Sequence, residues 1–96
     1  MLCALSVGRL KPGGYEDFRR AWESEEFPEG FTRAYHLRNL SDENQIVSFG
    51  FYDGAVEDLE RIRDEQKEEE RQSRMAQFVE STDVDAMFEV VDEVSP

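Results

Sequence analysis

The stretch RAYHLRN, Arg33 to Asn39, holds the chain's one histidine, with arginines at Arg33 and Arg38. Histidine is the side chain that most readily exchanges a proton near neutral pH. His36 is therefore the first candidate for acid–base chemistry. Tyr52, at the end of QIVSFGFY, is the second, because a tyrosine hydroxyl can hydrogen-bond a bound ligand and help to deprotonate or orient it; an aromatic packed under the second helix is the other reading. Tyr15 and Trp22 lie seven residues apart with Phe18 between them, so they share one helix face and could wall a planar ligand. The same spacing serves ordinary core packing equally well. Ser48 and Gly50 alternate with larger residues before Tyr52. Small side chains within a strand leave volume for a ligand or for close packing by a neighbouring element.

Other chemistries lack support. The acidic run around Glu68–Glu70, with Asp64 and Glu65, spreads around a helix rather than converging on one point, so it reads as a solvated face. Arg63 to Arg74 contains no apolar residue, which also suits a lid that opens easily. No HxH, CxxC or HExxH pattern occurs, so no metal is expected. Cys3 is single and has no cationic neighbour in sequence, which fits a structural thiol rather than a nucleophile. GxSxG, Walker and GxGxxG elements are absent, leaving hydrolase, nucleotidase and dinucleotide readings without a motif.

The elements that must position these residues follow from periodicity. Leu2 to Leu10 reads as a strand, ended by KPGG. Tyr15, Phe18 and Trp22 mark a short helix, with Glu16 and Arg20 as an i,i+4 pair on its polar face. Phe31 to Leu40 and Gln45 to Tyr52 are strands, joined by SDEN as a hairpin loop. Asp53 suits the N-cap of a second helix carrying Val56, Leu59 and Ile62, with Met75, Phe78 and Val79 resuming its stripe. STD, Ser81 to Asp83, reads as a loop before a last strand from Met87 to Val94. The order β-α-β-β-α-β is the ferredoxin-like arrangement, an α+β fold with a four-stranded antiparallel sheet. The length of 96 residues fits a single domain over 1–96.

Charge and packing restrict the partners. A formal net charge of −12 disfavours nucleic acid and anionic membrane surfaces, both of which attract lysine and arginine. MLCALSVG lacks the basic start and cleavage site of a secretory signal, and no apolar run approaches a membrane span, so a cytoplasmic protein is expected. The strands are apolar on both faces: Val47, Phe49 and Phe51 oppose Ile46 and Tyr52, and Leu5 and Val7 oppose Leu2 and Ala4. Two helices on one side cannot cover both faces, and an exposed apolar sheet is a liability. A homodimer through the sheet face is the simplest remedy.

Taken with KPGGYEDFRRAW and PEGFTRAYHLRNLSDENQIVSFGFYDG, this organisation resembles the antibiotic-biosynthesis-monooxygenase-like family of the dimeric α+β barrel superfamily. The resemblance implies two sheets facing each other as a barrel in a homodimer. It implies a pocket between sheet and helices, and oxidation of an aromatic or quinol-type small molecule without a cofactor. It implies that Tyr52, standing where many relatives have tryptophan, looks into that pocket. The haem-degrading branch has an asparagine on strand one, a tryptophan ending strand three and a histidine on the later helix. Gly8, Tyr52 and the histidine-free KEEERQSRM stand there instead, so haem degradation is not implied. A small-molecule-binding or structural homodimer without catalysis is the alternative.

With SDEN as a four-residue loop, Leu40 pairs with Gln45, which sets His36 opposite Phe49, Tyr35 opposite Gly50 and Arg33 opposite Tyr52. On that register His36 faces the dimer side. Arg33 and Tyr35 join Tyr15, Trp22, Ser48 and Gly50 as substrate-binding candidates, with Tyr52 and His36 as the catalytic ones.

Overall fold

The computed structural model describes residues 1–23, 26–65 and 67–96. Four strands form one antiparallel sheet: β1 (Leu2–Leu10), β2 (Phe31–Asn39), β3 (Asp42–Tyr52) and β4 (Val79–Glu89), in the spatial order β2-β3-β1-β4. Helix α1 (Tyr15–Trp22) connects β1 to β2. A 3-10 turn (Val56–Asp58), α2 (Leu59–Glu65) and α3 (Glu68–Ala76) connect β3 to β4. Each connection links strands separated by one other strand, which is the ferredoxin-like βαββαβ topology. Among the described residues no helix is long and apolar enough to cross a membrane.

Helix α1 begins after Gly14, with Glu16 and Asp17 in its first turn and Arg19 and Arg20 in its last, matching the helix dipole. Arg20 pairs with Asp17 rather than with the expected Glu16. The second helical segment is not one continuous helix. Lys67 takes a left-handed conformation (φ 51°) at the start of α3, so the direction changes there. Asp58, not Asp53, closes the first turn, its side chain accepting from the Ala55 amide at 2.9 Å. The final strand also starts earlier than expected. Residues 81–83 belong to β4, Ser81 and Thr82 pairing with β1 and Asp83 standing in a bulge, whereas Val91 and Val94 lie exposed beyond its end. An edge strand with one solvated side can hold Ser81, Thr82 and Asp83, so polarity there does not signal a loop.

Strand alternation divides the sheet into two apolar faces. Leu2, Ile46, Tyr52 and Leu10 are buried under the helices together with Phe18, Ile62 and Met75. These residues form two separate clusters. One is Leu10, Phe18, Ile46 and Met75; the other is Leu2, Tyr52 and Ile62. The opposite face carries Phe49 and Phe51 of β3, and Tyr35, Leu37, Val84 and Phe88, each of the last four more than a third exposed. Among the described residues no element covers it.

The β2–β3 hairpin differs in register from the expectation. Asn39 pairs with Asp42, leaving a tight turn at Leu40–Ser41, and a bulge follows between Arg38 and Asn39. Asn39 Oδ1 accepts from the Ser41 amide at 2.8 Å, and Asp42 Oδ1 accepts from the Asn44 amide at 3.2 Å. These short side-chain bonds build the turn from fewer residues than a four-residue SDEN loop would need. As a result His36 pairs with Ser48, Tyr35 with Phe49 and Arg33 with Phe51. A register change of one residue exchanges the faces. The expected placement of His36 on the dimer side, and of Arg33 and Tyr35 on the pocket side, is thereby reversed.

Candidate functional site

A cavity of about 420 Å³ lies between the sheet and the helices. Its floor follows from two cross-strand pairs in the middle of the sheet, Ala4 with Gly50 and Ser6 with Ser48. All four side chains are small, while the flanking pairs are Leu2 with Tyr52 and Gly8 with Ile46. The helices rest on the larger residues at each end, and the middle stays open. This also separates the two core clusters: Trp22, Met75 and Val79 bound the cavity from one, and Tyr52, Leu59 and Met87 from the other.

Arg71 on α3 forms much of the roof. It is 7% exposed, although it carries a full charge. Its Nε donates to the Trp22 carbonyl at 2.8 Å, Nη1 pairs with Glu68, and the guanidinium stands 5.4 Å from the Trp22 ring centre. Such partners are what a buried charge requires. Gln72 Nε2 donates to Glu68 Oε1 at 2.7 Å and reaches Asp85 Oδ2 at 3.4 Å. Asp85 comes from β4, where it pairs with Ser6 and turns toward the helices. Partial burial raises its carboxyl above the ordinary value, Glu68 adds to this, and Arg71 and Arg63 oppose it. Burial likewise raises the Tyr52 phenol above 10, so at neutral pH Tyr52 is an O–H donor rather than a base.

Of the residues singled out from sequence, Tyr52, Trp22, Ser48 and Gly50 line this cavity. Gly50 also lies close to β2: a Cβ there would stand 3.4 Å from Ala34 Cβ and 3.5 Å from a Phe31 ring carbon. His36 and Tyr15 do not line the cavity but share an adjoining aromatic box. The imidazole lies edge-on to Trp22 at 4.7 Å, Phe18 at 5.8 Å and Tyr15 at 6.2 Å between ring centres. Its Nδ1 is hydrogen-bonded to Ser48 Oγ at 2.7 Å, and its Nε2 is buried with no hydrogen-bond partner among the described residues. Burial lowers its pKa to about 4, assisted by the charges of Arg19 and Arg71. His36 is therefore neutral at physiological pH, and it orients Ser48 at the cavity floor. Arg33 and Tyr35 lie on the uncovered face, with the Arg33 guanidinium 6.0 Å from the Tyr35 ring centre and 5.8 Å from that of Phe51. They do not meet the cavity.

Sequence reasoning missed Arg71, Gln72, Glu68 and Asp85. Arg71 lies inside the stretch without apolar residues and replaces the missing apolar anchor, its stem buried and its planar head stacked on Trp22. For Asp85 a signal existed: it stands two residues before core-facing Met87, so a strand reaching back to it turns it inward.

No family model matches the chain, and no curated protein does. Solved structures do match in fold. A protein from Chloroflexus aurantiacus named as an antibiotic biosynthesis monooxygenase superposes with a TM-score of 0.71 at 11% identity, covering 98% of this chain and 96% of that one. One from Nitrosomonas europaea with the same designation gives 0.70 at 14% identity, covering 96% and 100%. A mutant of SnoaB, a cofactor-independent oxygenase from Streptomyces nogalater, gives 0.71 at 13% identity, covering 99% and 97%. By fold, the chain is similar to these solved structures, with the same four-stranded antiparallel sheet and flanking helices.

Proposed function

We propose that the protein is a small oxygenase that binds an electron-rich, hydroxylated aromatic molecule in the cavity and oxidises it with dioxygen. The carrying observation is the cavity itself: about 420 Å³, walled by Trp22, Tyr52, Met75 and Met87, with the charged Arg71 buried in its roof. That volume and mixture suit a planar ligand of two or three rings held by a few polar groups. Tyr52 donates a hydrogen bond to a substrate oxygen, and Arg71 stabilises negative charge that develops on it. The substrate supplies the electrons. For an activated methylene flanked by aromatic rings, CH2 and O2 give C=O and H2O, with one oxygen atom retained and the other released as water. The likeness in fold to a protein described as a cofactor-independent oxygenase supports this reading.

The same reading pairs two copies through the uncovered sheet face, as a homodimer. Phe49, Phe51, Tyr35 and Leu37 would pack against their symmetry mates there. A second reading, a binding protein without catalysis, is favoured by the position of His36 outside the cavity and its neutral state. Dioxygen uptake across a panel of anthrones and hydroquinones separates the two. Uptake dependent on the protein is the expected result. Tight binding of a panel member with no uptake decides for the second reading.

A further inference from the structure

Two carboxylates reach the cavity, and their surroundings differ. Glu68 is paired with Arg71 and accepts from Gln72. Asp85 makes no ion pair among the described residues, and its one hydrogen bond is the 3.4 Å contact from Gln72. It stands at the solvent-facing mouth, on an edge strand, where a proton taken from a ligand can pass to water. Arg71, on the helix above, has Nε and Nη1 engaged and no partner for Nη2 among the described residues. A buried cation with a donor to spare and an unpaired carboxylate thus border one cavity.

Resting on the oxygenase reading above, we propose that Asp85 is the proton acceptor of this site, taking the proton of an activated C–H bond in a ligand whose ketone oxygen receives the charge. The activated C–H bond of the ligand breaks, its proton forms an O–H bond with an Asp85 carboxylate oxygen, and the electron pair delocalises onto the ligand's ketone oxygen. Arg71 Nη2 is the donor available to that oxyanion. Gln72 fixes Asp85 from one side, leaving its second oxygen for the ligand. The charged groups facing Asp85 are Glu68 and Arg71 from α3 and Arg63 from α2. Together with partial burial they leave a carboxyl of raised proton affinity, better matched to an enolisable ketone than an exposed aspartate. His36 has no part in this step, since it lies outside the cavity and does not protonate at neutral pH.

The test uses 1,8-dihydroxyanthrone without dioxygen, so that binding and deprotonation are read without turnover. Quenching of Trp22, the sole tryptophan and a cavity wall, reports binding. The absorption band of the coloured anthrone anion reports the proton transfer. Wild-type protein should bind the probe as its anion at a pH where free probe is neutral. Asp85→Asn should still quench Trp22 but hold the neutral form, and Asp85→Glu should restore part of the anion band. With dioxygen admitted, Asp85→Asn should consume it about 100-fold more slowly. Anion formation on Asp85→Asn equal to wild type overturns the assignment of Asp85 while leaving the cavity as the binding site. An absence of quenching by wild-type protein overturns both. Asp85 is exposed on an edge strand, so circular dichroism of the variants serves as the folding control.

Discussion

Acidification should destabilise the protein through His36, in a window where few carboxylates titrate. The unfolded histidine protonates near 6.5 and the folded one near about 4. Between those values the unfolded chain binds the extra proton and the folded chain does not. Stability supplied by the neutral imidazole is therefore fully present above 6.5 and is lost as pH falls toward about 4. The full gap corresponds to roughly 3 kcal/mol, an upper figure because the ring is only partly buried. Lowering the pH from 7.5 to 5 should remove at most about 2 kcal/mol of it, or up to roughly 1–2 M in the urea midpoint. Asp85 works in the opposite sense, since its raised carboxyl favours the folded state as pH falls. A His36→Gln control carries the same Asp85 contribution, so the difference between the two proteins isolates the histidine. Both must be compared at one protein concentration, because a dimer gains stability by mass action. The chain's single histidine makes the direct measurement unambiguous: one imidazole proton resonance, followed by NMR against pH. A folded-state midpoint near 6.5, or an equal pH slope in His36→Gln, would refute burial in the aromatic box as the cause.

Three further outcomes follow from particular contacts. Phe49→Glu places a charge in the centre of the uncovered face and should convert a dimer to monomer in sedimentation, with secondary structure retained; an unchanged dimer mass places the interface elsewhere. Gly8→Asn should cost about 1–3 kcal/mol in urea unfolding, because a Cβ at that position meets the Ser81 carbonyl oxygen at 2.6 Å and β4 must shift; wild-type stability would refute the contact. Arg71→Met should lose about 3 kcal/mol in urea unfolding, because it removes the donor to the Trp22 carbonyl and the cation paired with Glu68; wild-type stability would refute that pairing as a stabilising one.

The fold was largely legible because alternation and helical spacing survive without tertiary context. The strands β1 and β3, the short aromatic helix and the two apolar faces all follow from where Leu2, Phe18, Ile46 and Phe49 sit in the chain. The site was less legible, for three physical reasons. The face occupied by His36 depended on the length of one turn, and side-chain bonds from Asn39 and Asp42 shortened it. The cavity depended on four small residues meeting across β1 and β3, and Ala4 and Ser6 become informative only once register pairs them with Gly50 and Ser48. Arg71 gave no sign in a polar run, because burial of an arginine depends on partners supplied by a different helix.

Trp22 has a neighbourhood whose consequence is electronic. Two guanidinium groups, of Arg19 and Arg71, stand over its ring at 5.3 and 5.4 Å. Positive charge beside a π cloud binds that cloud more tightly, so an electron is harder to withdraw from this indole than from one in water. On the proposed oxygenase reading, dioxygen and a reducing ligand would meet beside this tryptophan and expose it to radical damage. The paired arginines would shield it, and mass spectrometry after repeated turnover should find Trp22 unmodified in the wild type and oxidised in Arg19→Gln.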